Sequence, residues 1–458
     1  MLFNSIEFLI FLPIAFICYW QIRDWRLQNM LVVVISYFFY AWWDWRFLFL
    51  MAFVTLSSYV AGILMSAFHS RRKGILLIEI LLCLGILGLF KYYNFFVENV
   101  VALLDAFGFQ AHASTLNIIL PVGISFYTFQ ALGYVLDVYN GKVCASRDVV
   151  AYAAFISFFP QLVAGPIERI DNVYPQFTRQ RKFDFSYAKD GCKMILGGFF
   201  KKLVIADTAA GVVDTIFNGY DNYNAASLAL GAVLFSFQIY GDFSGYSDIA
   251  IGTSRLFGIS LRKNFDMPYL SRNVAEFWRR WHISLNRWFV DYVYIPLGGS
   301  RRNRSITIRN IFAIFLLSGL WHGANWTFIV WGAYHAALLV AYKRLKVSSV
   351  FLTFVLCTIG WVIFRADNIT VAGEYITRML DFTNYAFPDI PKINLLNACE
   401  CLLGISLLML LEWKNKDRDY AFYLDLKNRA MRWGTYAVIA IWAVIYYKVG
   451  QAFIYFQF

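Results

Sequence analysis

An all-α, polytopic integral membrane protein is the fold class that this sequence predicts, on three observations. Of 458 residues, 60% are hydrophobic and 19% aromatic against 15% charged, a balance that soluble globular chains do not carry. Apolar stretches approaching the ~20 residues of a bilayer-crossing helix recur along the whole chain. Lys and Arg gather in alternate loops between those stretches, as the positive-inside rule requires of a multi-pass protein.

The apolar stretches cover residues 3–21, 30–47, 48–68, 75–96, 117–138, 192–215, 226–241, 307–320, 325–342, 349–364, 395–412 and 434–456. Several are short for a full crossing, so about 11–12 transmembrane helices are expected. Residues 150–165 carry Pro160 and Gly165 next to Pro166. They read as a re-entrant or interfacial segment, because proline and glycine interrupt a helix. Neither an internal repeat nor a long polar linker divides the chain, so a single membrane domain over 1–458 is expected, with its chemistry concentrated in about 117–345.

Orientation follows from the basic loops. Arg23 and Arg26, then Arg71, Arg72 and Lys73, then Lys142 and Arg147 occupy alternate loops, whereas 97–116 holds Glu98 and Asp105 with no Lys or Arg. Segment 216–225 also lacks them. The expectation is a multi-pass membrane protein with basic loops inside and both termini outside. The parity holds only if 307–342 is a hairpin entered from the cytoplasm. The first residues lack a basic n-region, so no cleavable signal peptide is expected. The seven cysteines, at 18, 83, 144, 192, 357, 399 and 401, show no CxxC spacing and read as small core residues, with no metal site expected.

Charge is concentrated where the apolar rhythm breaks. Between Arg255 and Arg309 eleven basic residues face three acidic ones, leaving +8 of the chain's net +12. Two readings stand: a loop touching anionic lipid headgroups, or a cytoplasmic docking surface for a phosphate-bearing donor or acidic carrier protein. On the second, Arg279, Arg280 and Arg287 are the candidates for holding donor phosphates. No nucleic-acid partner is expected.

Inside this region, Trp278, Trp281, His282, Leu285, Trp288, Phe289 and Tyr292 follow an i, i+3, i+4, i+7 stripe, the period of one interfacial amphipathic helix. His282 therefore faces protein or lipid, either as a packed structural histidine or as a reactive one. A second histidine, His322, lies in Ser318-Gly319-Leu320-Trp321-His322-Gly323-Ala324-Asn325, between two stretches apolar enough to enter a membrane. A titratable group at that depth is costly and points to function. A neutral imidazole takes a proton from an attacking hydroxyl at cellular pH and returns it to a leaving group. The alternative is a hydrogen-bonded histidine that stabilises the hairpin. Ser318 and Asn325 are candidates to fix a ring tautomer. His335, beside Trp331 and Tyr334, reads as packing, and His69 and His112 as surface residues.

Two further polar clusters interrupt the apolar pattern. Asp242 and Asp248, in Gly241-Asp242-Phe243-Ser244-Gly245-Tyr246-Ser247-Asp248, either line an aqueous path or pair with arginines such as Arg255. Phe159-Pro160-Gln161-Leu162-Val163-Ala164-Gly165-Pro166-Ile167, ending in Glu168-Arg169, reads as a bend that shapes a cavity.

Taken together with Asn4-Ser5-Ile6-Glu7-Phe8, Pro121-Val122-Gly123-Ile124-Ser125-Phe126-Tyr127, Phe277-Trp278-Arg279-Arg280-Trp281-His282-Ile283-Ser284-Leu285 and Leu320-Trp321-His322-Gly323, these motifs resemble the membrane-bound O-acyltransferase (MBOAT) family. The resemblance runs through nearly the whole chain and is greatest to its bacterial, AlgI-like alginate O-acetylation branch. It implies helices around a central tunnel, a cytoplasmic donor entrance and an acceptor opening on the other face. It implies His322 as the essential histidine and His282 as the second active-site position. No bound cofactor is implied; acetyl-CoA or another acyl thioester is the co-substrate, delivered free or on a carrier.

The implied partners are an extracytoplasmic SGNH-type acetyltransferase, a polysaccharide acceptor and membrane lipids. The stretch around 366–393 and the C-terminal region match the family less specifically. The expected reaction has His322 as general base, with His282 orienting the acyl group or stabilising the oxyanion. D-alanyl transfer to teichoic acid from a carrier protein, and a transporter or flippase, are the alternatives.

Overall fold

The computed structural model describes residues 1–109, 115–116, 119–418, 420, 422, 428–447 and 453–454. Among them the regular structure is helical throughout, with no strand. Each of the twelve apolar stretches contributes helix in the expected order; residues 117–118 and the end of the last stretch fall outside the described residues, as does His112. Five helical segments are long and apolar enough to cross a membrane: Phe47–Ala67, His69–Ala106, Ala225–Leu256, Arg304–His322 and Lys392–Lys414. Ile6–Gln21 and Val350–Arg365 are shorter apolar helices. This is a multi-pass, all-helical membrane protein.

The chain forms two compact units. The first comprises 7–183 with Met1 and 323–325. Its helices start where short polar side chains replace missing backbone partners. Asp24 accepts from the Arg26 and Leu27 N–H groups, both at 2.9 Å, to open Trp25–Ala41. Asp148 does the same for Val149–Ser157 through Val150 and Ala151. That nine-residue helix, followed by the four-residue turn Phe159–Leu162, is the broken segment expected at 150–165. Gln130 and Gln161 both donate to its Phe155 carbonyl, at 2.9 and 2.6 Å. Buried Arg181 is held by Gln28, Asn29 and the Trp25 carbonyl. Glu98 and Asp105, expected in a loop, lie in the helix Tyr93–Ala106, which outlasts the apolar stretch by a full ten residues.

The second unit comprises 2–6, 184–322 and 326–458. At its centre runs Ala225–Leu256, 32 residues long and buried along most of its length. The 242–248 cluster lies inside this helix, where the sequence placed it at the end of an apolar run. The helix continues because its carboxylates find cationic partners within the unit. It packs closely on Phe185–Phe199: a Cβ on Gly198 would sit 2.6 Å from the Gly245 carbonyl oxygen, and one on Gly252 2.5 Å from that of Gly191. Small residues bring two backbones together in this way in membrane interiors.

Phe185–Phe199 continues through a π-helical stretch, Phe200–Ala206, into Asp207–Asn218. The wider turn buries both consecutive lysines, Lys201 and Lys202. Lys202 contacts Asp242 at 2.6 Å and Asp207 at 2.9 Å; Lys201 contacts Asp248 at 2.8 Å and Glu412 at 3.9 Å. Tyr240 donates to Glu412. The expected pairing of Asp242 and Asp248 with Arg255 is thus corrected: their partners are lysines from the neighbouring apolar stretch.

Four cysteines, Cys18, Cys144, Cys192 and Cys399, are exposed on the chain's surface, while Cys83, Cys357 and Cys401 are buried; all seven are free. The core reading holds for three of them.

Candidate active site

The site is built from the two arms of a hairpin and a broken helix, all in the second unit. Arg304–His322 and Trp326–Leu345 form the hairpin. Their close approach depends on glycine: a Cβ on Gly319 would lie 2.2 Å from the Phe328 carbonyl oxygen, and one on Gly332 2.3 Å from that of Phe315. Basic residues mark the open end, and His322 is the last residue of the first arm, roughly 27 Å further along at 1.5 Å per residue. His322 is therefore carried to the full depth of the hairpin, as the charge pattern required.

The stripe at 277–292 is not one helix. Val274–Arg280 and Ile283–Phe289, seven residues each, are separated by His282 in the left-handed conformation, φ 42° and ψ 55°. A non-glycine residue there is uncommon, though histidine is among those that tolerate it. The break has a hydrogen-bonded cause: Ile283 N–H donates to the Asn264 carbonyl at 2.9 Å, and Asn286 Nδ2 donates to the Trp278 and Trp281 carbonyls at 2.9 and 2.6 Å. These bonds close the first helix and turn the chain before the second begins.

The break directs His282 into the interior, where it is 2% exposed; His322 is 5% exposed. Trp321 stands next to both rings, its centroid 5.8 Å from His282 and 5.0 Å from His322. Phe243 meets His282 edge-on at 4.6 Å, and Trp331 and Phe364 meet His322 at 5.3 and 5.4 Å. The two histidines from motifs forty residues apart thus converge on one aromatic shell. Burial pushes the His282 imidazole down to about 3, which keeps the ring neutral. Its Nδ1 lies 3.2 Å from Asn264 Oδ1, and its Nε2 is buried with no hydrogen-bond partner among the described residues.

His335 is also fully buried, edge-on to Trp278 at 4.9 Å and against Trp331 at 5.1 Å, as the packing reading expects. His69 is exposed.

Of the expected phosphate contacts, Arg279 and Arg287 are exposed, and Arg280 is engaged with Glu276 at 2.7 Å. A cavity of about 420 Å³ at the open end of the hairpin gathers Arg304, Lys343 and Arg344 around Thr307. No group of three or more His, Cys, Asp or Glu that could hold a metal ion occurs among the described residues.

Sequence reasoning missed Asn264, Lys201 and Lys202. Asn264 stands alone in Lys263-Asn264-Phe265-Asp266, eighteen residues before His282, with no spacing to mark it. The lysines sit in an apolar run, where an uncompensated charge would be costly. That cost was the available signal that carboxylate partners had to exist.

Comparison with known proteins bears on this geometry. The family model described as MBOAT, membrane-bound O-acyltransferase family, matches residues 145–347, the stretch that holds both histidines. The chain is 41% identical to the probable alginate O-acetylase AlgI of Pseudomonas aeruginosa over 86% of its own length and 78% of that protein's. It is 32% identical to the peptidoglycan O-acetyltransferase of Helicobacter pylori, over 86% and 82% of the two chains. A teichoic acid D-alanyltransferase of Bacillus subtilis is 30% identical over 51% of this chain and 62% of the relative. The chain belongs to the membrane-bound O-acyltransferase family and is an O-acyltransferase.

Proposed function

We propose that this protein, seated in a bacterial inner membrane, takes an acetyl group from cytoplasmic acetyl-CoA and passes it across the membrane for O-acetylation of an extracytoplasmic polysaccharide. A separate SGNH-type acetyltransferase completes the transfer to the sugar. The observation that carries this reading is the convergence of buried His282 and His322 on Trp321. The names of the alginate and peptidoglycan O-acetylating relatives support the acceptor class.

In this reading His322 is the general base. It takes the proton of the acceptor hydroxyl, on a sugar or a partner serine, as the oxygen attacks the thioester carbonyl. The C–S bond then breaks, and the thiol leaves with the proton returned by His322. His282 works on the acyl donor or its oxyanion. The surrounding rings keep water out, which strengthens each polar contact and suppresses hydrolysis. Arg279, Arg280 and Arg287, with the Arg304, Lys343 and Arg344 cavity, supply positive charge for donor phosphates.

A D-alanyl-carrier donor is a second reading, favoured by the Bacillus subtilis relative. Radiolabelled acetyl-CoA and carrier-bound radiolabelled D-alanine, offered in parallel to the protein in nanodiscs with an SGNH-type partner and polysaccharide, separate the two. Label entering polysaccharide from acetyl-CoA supports acetylation, and label from the D-alanyl carrier alone overturns it.

A further inference from the structure

We infer that Asn264 is a positioning residue that keeps the proton of His282 on Nδ1, so that His282 meets substrate as a hydrogen-bond acceptor through the bare lone pair of Nε2. This rests on the reading that His282 faces substrate, and it decides between the two roles open to that residue.

The argument is one of donors and acceptors. The Ser284 backbone N–H, which can only donate, points at Asn264 Oδ1 at 3.2 Å, and the Ser284 hydroxyl donates to the same oxygen at 2.8 Å. Asn264 Nδ2 donates to Ser247 Oγ at 3.3 Å. Turning the amide over would set its NH2 against the Ser284 N–H, donor against donor, so the oxygen is fixed toward Ser284 and His282. His282 Nδ1 lies 3.2 Å from that oxygen. An unprotonated Nδ1 would place two lone pairs face to face in a dry interior, so Nδ1 carries the hydrogen and Nε2 the lone pair.

Nε2 is buried and has no hydrogen-bond partner among the described residues, a state that is costly until a donor arrives. The left-handed backbone of His282 and the main-chain bond from Ile283 to Asn264 hold the ring in place. A neutral Nε2 without hydrogen cannot donate to an oxyanion. It can accept from an N–H or O–H of the substrates, such as the amide N–H groups of a pantetheine-type thioester arm. His282 therefore orients a donor group of the substrates and does not stabilise the oxyanion; that the hydroxyl proton goes to His322 belongs to the reaction proposed above.

Carboxylates on the elements around the ring are already engaged, Asp266 with Lys263 at 2.7 Å, Glu276 with Arg280, Asp242 with Lys202 and Asp248 with Lys201, while Arg279 and Arg287 on the flanking helices are exposed. An amide, and not a carboxylate, is thus the group set against Nδ1, and the ring stays neutral.

The test uses the full chain in nanodiscs with 15N-labelled histidine. Nitrogen NMR, with the His282 signals assigned by their loss in His282→Asn, reads the tautomer directly. An unprotonated Nε2 supports the inference; an unprotonated Nδ1 overturns it. Asn264→Leu removes the lock and is expected to lower kcat about 10–100-fold, the usual effect of a lost orienting partner. Wild-type kcat in that variant overturns the inference.

Asn264→Asp keeps an acceptor for both donors if the Leu variant does not fold. Its carboxylate favours the charged imidazolium and raises the ring's pKa, so activity is lost at a higher pH on the acid side than in wild type. An unmoved acid limb contradicts the inference, since a purely structural asparagine predicts no such shift. The NMR readout needs no turnover. A wild-type protein inactive with acetyl-CoA but carrying the Nε2 lone pair would sink the acetylation reading while supporting this one.

Discussion

Two buried polar regions of the second unit handle the same physical problem in opposite ways. Around Lys201 and Lys202 every charge is set against another: Lys202 lies between Asp207 and Asp242, and Lys201 reaches Asp248 and Glu412. Around His282 and His322 the immediate neighbours are rings, Phe243, Trp321, Trp331 and Phe364. Charges in an apolar interior require partners and become structure once they have them. An imidazole escapes that requirement by staying neutral, and then keeps its capacity to move a proton or accept a hydrogen bond. On the proposed mechanism, the difference separates the buried polar groups that support the fold from those that carry the chemistry. Both regions draw on one helix, Ala225–Leu256, through Asp242 and Asp248 for the first and Phe243 and Ser247 for the second.

The comparison makes separable predictions. The largest effect is on turnover: His322→Ala should lose about 10²–10⁴-fold in acyl transfer, the scale of a lost general base, with thermal unfolding in detergent close to wild type. On the other side, Lys202→Met leaves Asp207 and Asp242 facing each other without their cation. A loss of about 3–5 kcal/mol in stability is expected, measured by denaturation in mixed micelles, with activity per folded molecule largely kept. Stability unchanged in that variant would break the division between the regions.

A smaller effect is expected from Arg287→Ala and Arg279→Ala, which remove exposed positive charge. KM for the acyl donor should rise about tenfold or less with kcat kept, and the rise should shrink at high salt as screening takes over. The smallest belongs to His335→Phe. Neither ring nitrogen of His335 has a hydrogen-bond partner among the described residues, and replacing a buried polar group by an apolar one of similar shape is nearly neutral. Stability within about 1 kcal/mol and full activity are expected; a large loss of activity would move His335 into the chemistry.

Much of this was legible in the sequence. Apolar stretches, aromatic periodicity and alternating basic loops were enough for an all-helical membrane fold and for the hairpin that carries His322. What escaped had physical reasons. The stripe through Trp278, Trp281 and Leu285 reads as one helix because its period is unbroken, while the break at His282 is imposed by Asn264 and Asn286 from outside the pattern. Hydropathy ended the central helix near Gly241 because it scores each residue alone. It cannot register that Asp248 meets a lysine 47 positions earlier. The same blindness hid Lys201 and Lys202 inside an apolar run. For the site, the two histidines were visible as motifs, but the partner of His282 was not, because a single asparagine in a polar loop carries no periodicity.

The measurement that tests the central claim most directly is acyl transfer from radiolabelled acetyl-CoA by purified wild type and His322→Ala in nanodiscs, scored per folded molecule alongside donor binding. Loss of transfer with folding and donor binding intact is the predicted result. Wild-type transfer by His322→Ala would contradict it and remove His322 from the reaction.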